Sequence, residues 1–379
     1  MAPDLLTGAR PGPAKPGPAE RKARRAAAIF VLCAAAWLIG WATQHTAPAG
    51  FDFIAIYASA RLVATGHAAA VTDPDAIFAV EHATLPERTV LLRNPNPPAL
   101  SLLLAPLGAL PFDLAYAAML TLSVAALVAA AFVAAPLAEA RQRTRLLPFA
   151  LLAPPSTIAL AEGQTSPFLL LAYVCALRAP PALSGGLLGL VALRPQLLPI
   201  FAVIALADRR RRLPFLGVVA AVALISALMV GADGLARYPE LLGPAAAELR
   251  PGELGLPALI RRVGVGDEAP AIANIALAGA ATLVAAALLL RDRSGTRDVM
   301  AGPSALLSAP HALLHDAVLV YPGVAFRART TLATAGWIGS GLVTVLAHQA
   351  GAPVAPLWLL AIALWPPSRR ATVPTSETA

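Results

Sequence analysis

A lone arginine interrupts an apolar run from 183 to 207, in the stretch Leu193-Arg194-Pro195-Gln196. A guanidinium inside an apolar segment must find an anion, and its planar fork suits a phosphate held by two parallel bonds. Snorkelling to an interface is the competing reading. A second candidate is Asp52, in Phe51-Asp52-Phe53-Ile-Ala-Ile-Tyr57, which Ala58-Ser-Ala-Arg61 and Thr65-Gly-His67 follow. A carboxylate in such a low-dielectric margin suits a general base, and the same position suits a helix N-cap equally well. In Glu162-Gly-Gln164-Thr-Ser-Pro167, Gln164 sits in a polar turn between apolar stretches. It could bind a sugar hydroxyl or satisfy the turn. His311 and His315, four apart in Ser308-Ala-Pro-His-Ala-Leu-Leu-His-Asp316, would share a helix face. A metal there needs a third ligand, and no HExxH accompanies the pair, so a hydrogen-bonding role beside a polar cavity is the better expectation. Asn94-Pro-Asn-Pro-Pro98 reads as proline punctuation around a short apolar stretch.

The elements that must position these residues are apolar helices. Of 379 residues, 58% are hydrophobic and 13% charged, about half the charge of a soluble chain. The apolar residues come in blocks separated by short Arg-rich stretches, the pattern of a polytopic all-α membrane protein. A soluble globular enzyme, a disordered chain and a disulfide scaffold are excluded. Nucleic acid is not an expected partner despite the net charge of +8, because the arginines sit at the ends of apolar segments and form no stripe. Cys33 and Cys175 each fall inside an apolar segment and read as buried free thiols, with no CxxC or zinc spacing.

Charge asymmetry gives the orientation. A tail of residues 1–25 carries six bases against Asp4 and Glu20, and reads as cytoplasmic and disordered. The short connections Arg141–Arg145, Arg209–Arg212, Arg291 to Arg297, Arg327–Arg329 and Arg369-Arg370 are basic, as cytoplasmic loops are. The two long loops, 44–95 and 232–269, are acid-rich and are expected outside. Candidate spans fall near 26–43, 113–138, 146–161, 165–178, 183–207, 213–231, 270–290, 299–314, 316–327, 330–348 and 354–366. Residues 97–110 are too short to cross and read as a juxtamembrane or re-entrant piece, while 183–207 is expected to split at Arg194-Pro195 into two half-depth helices. Roughly ten to thirteen transmembrane or half-depth helices result. They form one domain over 26–366, followed by a cytoplasmic tail at 367–379. The first outer loop is expected to lie as amphipathic helices on the membrane.

The order of these motifs carries a resemblance. Asp52-Phe53 with Tyr57, then Pro97-Pro98, Leu103-x-x-Pro106-Leu107 and Leu110-Pro111 are followed by Gly163-Gln164. Gly185-Gly-Leu-Leu-Gly running into Arg194-Pro195-Gln196, then Ser308-Ala-Pro310 and Asp316, complete the series. This resembles glycosyltransferase family 87, the polyprenol-phosphate-sugar-dependent membrane glycosyltransferases, over about residues 26–330. The resemblance implies a GT-C bundle with an outward-facing active site in a bacterial plasma membrane. Its donor would be a hexosyl, typically mannosyl, polyprenyl phosphate, and its acceptor an envelope glycolipid or polysaccharide. It implies an inverting displacement with Asp52 as base and Arg194 on the donor phosphate. Tyr57, Gln164, Gln196, His311, His315 and Asp316 are weaker candidates for lining the pocket. No cofactor and no metal are expected, since a monophosphate donor does not need a divalent ion. A multi-span transporter or lipid-carrier flippase is the alternative, but it should show pseudo-symmetric halves and ionisable residues near the midplane. This chain instead puts its polar residues toward one face, after a long outer loop.

Overall fold

The computed structural model describes residues 52–87, 89–137, 151, 153–247, 253–260, 271–292 and 296–327. Both tails and the expected spans at 26–43, 330–348 and 354–366 lie outside the described residues. Among the described residues every regular element is helical.

Proline sets where most of these helices begin. Helices α1 (Phe53–Ala64), α2 (Pro74–Thr84), α3 (Pro98–Leu103), α4 (Ala105–Gly108) and α5 (Phe112–Ala134) come first. They are followed by α6 (Pro154–Ala161), α7 (Ser166–Ala176), α8 (Pro181–Gly189) and α9 (Leu198–Ala207). Proline stands in the first turn of α2, α3, α4, α6, α7, α8 and α9. There its missing N–H is one of the donors a helix leaves unpaired anyway. At these seven positions proline starts a helix rather than kinking one. The later elements are α10 (Arg209–Ala247), α11 (Leu256–Ile260), α12 (Ala271–Arg291), α13 (Ala301–Ser308) and α14 (Tyr321–Arg327). A 3-10 segment, Leu314–Val320, leads directly into α14.

Among the described residues, three helices are long and apolar enough to cross a membrane: Phe112–Leu137, Arg209–Leu241 and Ile272–Arg291. Leu213, Leu228, Ile272 and Leu283 on the last two are each more than 70% exposed. Apolar side chains displayed along such lengths are lipid-facing surface, so the protein is membrane-associated and all-α.

The break expected at Arg194-Pro195 is present, and it makes a hairpin. Gly185 of α8 backs onto the Arg211 carbonyl, and Gly189 onto Phe215 and Val218 of α10. Helices α8 and α10 therefore run in the same direction, and α9 between them must run back. The apolar limbs Pro181–Leu193 and Pro195–Ala207 meet at Arg194, whose extended backbone (φ −131°, ψ 79°) makes the apex. At 1.5–2 Å per residue each limb spans roughly 20 Å, less than the bilayer core. The opposite end gathers Arg178, Arg209–Arg212, Arg291 and Arg297 and is tied by Arg211 Nη1 to Asp298 Oδ2 at 2.6 Å. Tyr173, at the far end of α7, donates to the Asp298 carbonyl there at 2.6 Å.

The sequence-based expectations are corrected in three places. Helix α1 does not lie on a surface. Nine of its twelve residues, from Phe53 to Ala60 and Leu62, are buried, because α2, α3 and α4 wrap it. Residues 232–247 are not loop. Helix α10 bends at Gly231, whose φ of 65° only glycine takes readily, and continues. Finally, the pair at 299–314 and 316–327 breaks earlier, at 309–313, where the polar residues are.

Candidate active site

A small polar cleft, open to solvent, lies at the end of the molecule away from the arginine clusters. Asp52, Arg93, Asn94, Asn96, Gln164, Arg194, Gln196, His311, His315 and Asp316 supply its polar lining. Five separate parts of the chain deliver them: the start of α1, the 92–96 wall, the α6–α7 turn, the hairpin apex, and the 309–316 segment.

Arg194 is the centre of the floor. It is 5% exposed, and its buried guanidinium meets its anion within the chain. Nη1 pairs with Asp316 Oδ1 at 2.8 Å and lies 3.3 Å from His315 Nε2. Nη2 donates to Gln164 Oε1 at 2.6 Å and to Thr165 Oγ1 at 3.2 Å, and Nε reaches the same hydroxyl at 3.4 Å. Asp316 is satisfied in turn by the Ser166 hydroxyl at 2.7 Å and by the Leu313 N–H at 3.3 Å. A buried ion pair whose remaining lone pairs are hydrogen-bonded in this way holds its surroundings to one geometry.

Asp52 sits at the N-cap position of α1, yet its side chain caps nothing. Its Oδ2 accepts from Gln164 Nε2 at 2.8 Å. Among the described residues, Oδ1 accepts no hydrogen bond and is left facing the cleft. Gln164 thus bridges the carboxylate and the arginine, with its amide oxygen on one and its amide nitrogen on the other.

The turn carrying Gln164 is fixed by glycine. Gly163 has φ 65°, and a Cβ there would stand 2.7 Å from the Phe53 Cβ. Only glycine lets the turn lie against the first turn of α1, and that contact is what brings Gln164 to Asp52. Glu162, just before it, bonds His315 Nδ1 at 2.7 Å. Burial raises the Glu162 carboxyl above the ordinary range, and the bond to His315 offsets part of that rise. The Ser166–Asp316 hydrogen bond and the Glu162–His315 pair therefore join the turn to the 309–316 segment.

His311 lines the cleft and is held by Glu253 Oε1 at 2.7 Å. Beside that contact, the Leu254 N–H donates to the Ala312 carbonyl at 2.8 Å. The wall opposite is pinned at three points. Leu92 N–H donates to Glu81 Oε2 at 3.0 Å, Asn94 Nδ2 to Ser59 Oγ at 3.1 Å, and the Tyr238 hydroxyl to the Pro95 carbonyl at 2.8 Å.

The structure therefore brings together Asp52, Gln164, Arg194, Gln196, His311, His315 and Asp316. Tyr57 is not among them. Its ring packs edge-on to Phe112 at 5.3 Å, and its hydroxyl donates to the Leu110 carbonyl at 2.8 Å. It points away from the cleft because it lies five residues along α1 from Asp52, on another face of the helix. The contributions of Arg93, Glu162, Thr165, Ser166 and Glu253 were not read from sequence. Glu162, Thr165 and Ser166 flank Gln164 in the same polar turn, which was the available signal. Asn94 and Asn96, taken as punctuation, form cleft wall. Among the described residues, Asp52, Glu162 and His315 also place one ligand atom each within 4.8 Å of one another, a spacing that could close around a divalent ion.

Among the described residues the protein is helical and membrane-associated, and acid, base and guanidinium groups converge in one open polar cleft, the makings of an enzyme. The family model for glycosyltransferase family 87 matches residues 94–302, more than half of the chain, and the protein belongs to that family. It is accordingly a membrane glycosyltransferase. Comparison with curated proteins and with solved structures returned no match.

Proposed function

We propose that the protein transfers a hexosyl group, mannosyl in the first instance, from a polyprenyl-phosphate sugar to a glycolipid or polysaccharide acceptor, by inverting displacement. The observation that carries this reading is the Asp52 carboxylate, oriented through one oxygen by Gln164 and open to the cleft through the other. An acceptor hydroxyl seated at Oδ1 gives its proton to Asp52 as its oxygen bonds to the sugar C1. The bond from C1 to the phosphate oxygen breaks on the opposite face, and polyprenyl phosphate leaves with one more negative charge. A positioned base of this kind contributes about 10²–10⁴-fold. Arg194, paired with Asp316, holds Gln164 and through it the base. Gln196 and His311 offer hydrogen bonds to hydroxyls, while His315, held between Glu162 and Arg194, and Asp316 support Arg194 from behind.

The architecture fits a GT-C bundle over 26–366, with the cleft on the outer face of a bacterial plasma membrane and the arginine end in the cytoplasm. That assignment rests on the charge rule and on the separation of the cleft from the arginine clusters.

The test is sugar transfer from labelled polyprenyl-phosphate-mannose in membranes containing wild type or Asp52→Asn, with total membrane lipid as acceptor. Wild type should form a new labelled product, and Asp52→Asn should accumulate normally but lose activity by at least about 10²-fold. Full activity in Asp52→Asn would remove it as the base. Silence from wild type with mannose, glucose, galactose and arabinose donors would overturn the reaction itself in favour of a transporter.

A further inference from the structure

The charge inventory of the cleft leaves a donor phosphate without an obvious partner. Asp52, Glu162 and Asp316 bring carboxylates, and Arg194, the cation expected on the phosphate, is buried and committed. Its donors go to Asp316, Gln164 and Thr165, and its charge is matched by Asp316 at 2.8 Å. Drawing it onto a phosphate would strand the Asp316 carboxylate in the interior, where an unpaired charge is strongly unfavourable.

Arg93 is placed differently. It lines the same cleft, is partly exposed, and has no hydrogen-bond or ion-pair partner among the described residues. Its Nε is buried away from solvent and unpartnered. A guanidinium N–H cut off from water and left unmade is costly, and an arriving anion with several oxygens relieves that. The mounting is rigid on both sides, with Leu92 bonded to Glu81, Asn94 to Ser59, and Pro95 to Tyr238. The backbone that presents Arg93 is thus fixed without the arginine itself being used.

We propose that Arg93 is the direct ligand of the phosphate of the polyprenyl-phosphate donor, and of the polyprenyl phosphate that leaves. Arg194 then acts as a positioning residue that holds Gln164, Asp316 and through Gln164 the base. This assignment rests on the donor class proposed above. As the bond from C1 to the phosphate oxygen breaks, the phosphodiester monoanion becomes a monoester with a second charge. The Arg93 fork strengthens its hold at that moment, which is the form of contact that lowers a barrier.

The experiment is direct binding of a short-chain polyprenyl phosphate to purified protein in detergent, alongside the corresponding polyprenol and phosphatidylglycerol. Wild type should bind the phosphate better than the polyprenol. Arg93→Ala and Arg93→Gln should each weaken phosphate binding by tenfold or more and leave polyprenol binding unchanged, with Arg93→Lys between. Arg210→Ala, an exposed arginine outside the cleft, should bind as wild type. Arg93→Ala and Arg93→Gln binding the phosphate like wild type would overturn the assignment while leaving the donor class standing. Displacement by phosphatidylglycerol at equal concentration would also overturn it, making Arg93 a general headgroup contact. Wild type that binds no polyprenyl phosphate would sink the donor reading, and this assignment with it.

Discussion

At the scale of the residue, the cleft is a relay of paired groups, and Arg194 shows how far its parts are interdependent. Asp52 is 112 positions from Gln164, Gln164 is 30 from Arg194, and Arg194 is 122 from Asp316. Each was visible in the sequence as a polar residue at the edge of an apolar stretch, because burying such groups is costly enough to require a reason. Their pairing was not visible, since nothing local in Leu193-Arg194-Pro195 says that its anion is a carboxylate in the same chain. That pairing makes a prediction. Arg194→Ala leaves Asp316 buried and uncompensated and should destabilise the detergent-solubilised protein by about 3–5 kcal/mol, seen as poor accumulation and a large fall in Tm. Arg194→Lys keeps one charge but cannot span Gln164, Thr165 and Asp316 together, so it should fold and lose much of its transfer activity. The double variant Arg194→Met with Asp316→Leu removes both charges and should recover accumulation without recovering activity. If Arg194→Ala alone accumulates and melts like wild type, the ion pair is not holding the cleft.

At the scale of the element, the chain uses broken helices to set polar groups at the end of an apolar bundle. The hairpin at 181–207 was legible because a charge and a proline together end a helix, and the half-depth limbs follow from that. The burial of α1 was not legible. The residues Phe53–Ala64 are apolar on almost every face, and a short apolar helix reads equally well as lying on a membrane or inside protein. What decides is the packing of α3 and α4, where Gly108 closes onto the α1 backbone at Ala60 and accepts from Arg61 Nη1 at 3.0 Å. Since α1 carries Asp52 at its start, whatever seats α1 also sets the base. The α6–α7 turn does so through Gly163, which meets Phe53 directly. Gly163→Ala adds a methyl 2.7 Å from the Phe53 Cβ on a backbone with positive φ, a conformation that costs a non-glycine residue about 1–3 kcal/mol. Shortening Phe53 to alanine leaves the Cβ in place and should not rescue it. The expected result is a lower Tm and a transfer rate that falls more than acceptor or donor KM rises, because Gln164 no longer holds Asp52. Wild-type kcat in Gly163→Ala would show that the turn does not position the base.

At the scale of the whole molecule, the two ends differ in chemistry, and the difference fixes how the protein should sit in a membrane. The helices Phe112–Leu137, Arg209–Leu241 and Ile272–Arg291 bury 39%, 17% and 22% of their most apolar stretch within the described chain. The low figures for the last two leave most of that surface for lipid. All of α7, α8, α9, α10 and α12 have one end among Arg178, Arg209–Arg212, Arg291 and Arg297, and a limb of about 20 Å carries the hairpin from there to the cleft. Arginine clusters stay on the cytoplasmic side during insertion, so in the orientation proposed above the cleft faces outside, where a sugar donor held in the outer leaflet would meet it. Cysteine labelling tests this on the intact cell. After Cys33 and Cys175 are replaced by serine, Val90→Cys, at a position 71% exposed beside the cleft wall, should react with a membrane-impermeant maleimide. Arg210→Cys, exposed at the opposite end, should react only once the membrane is opened. Labelling of Arg210→Cys from outside with Val90→Cys protected would invert the protein. The acceptor would then be a cytoplasmic-leaflet molecule, and the donor would have to be used on the face where it is made.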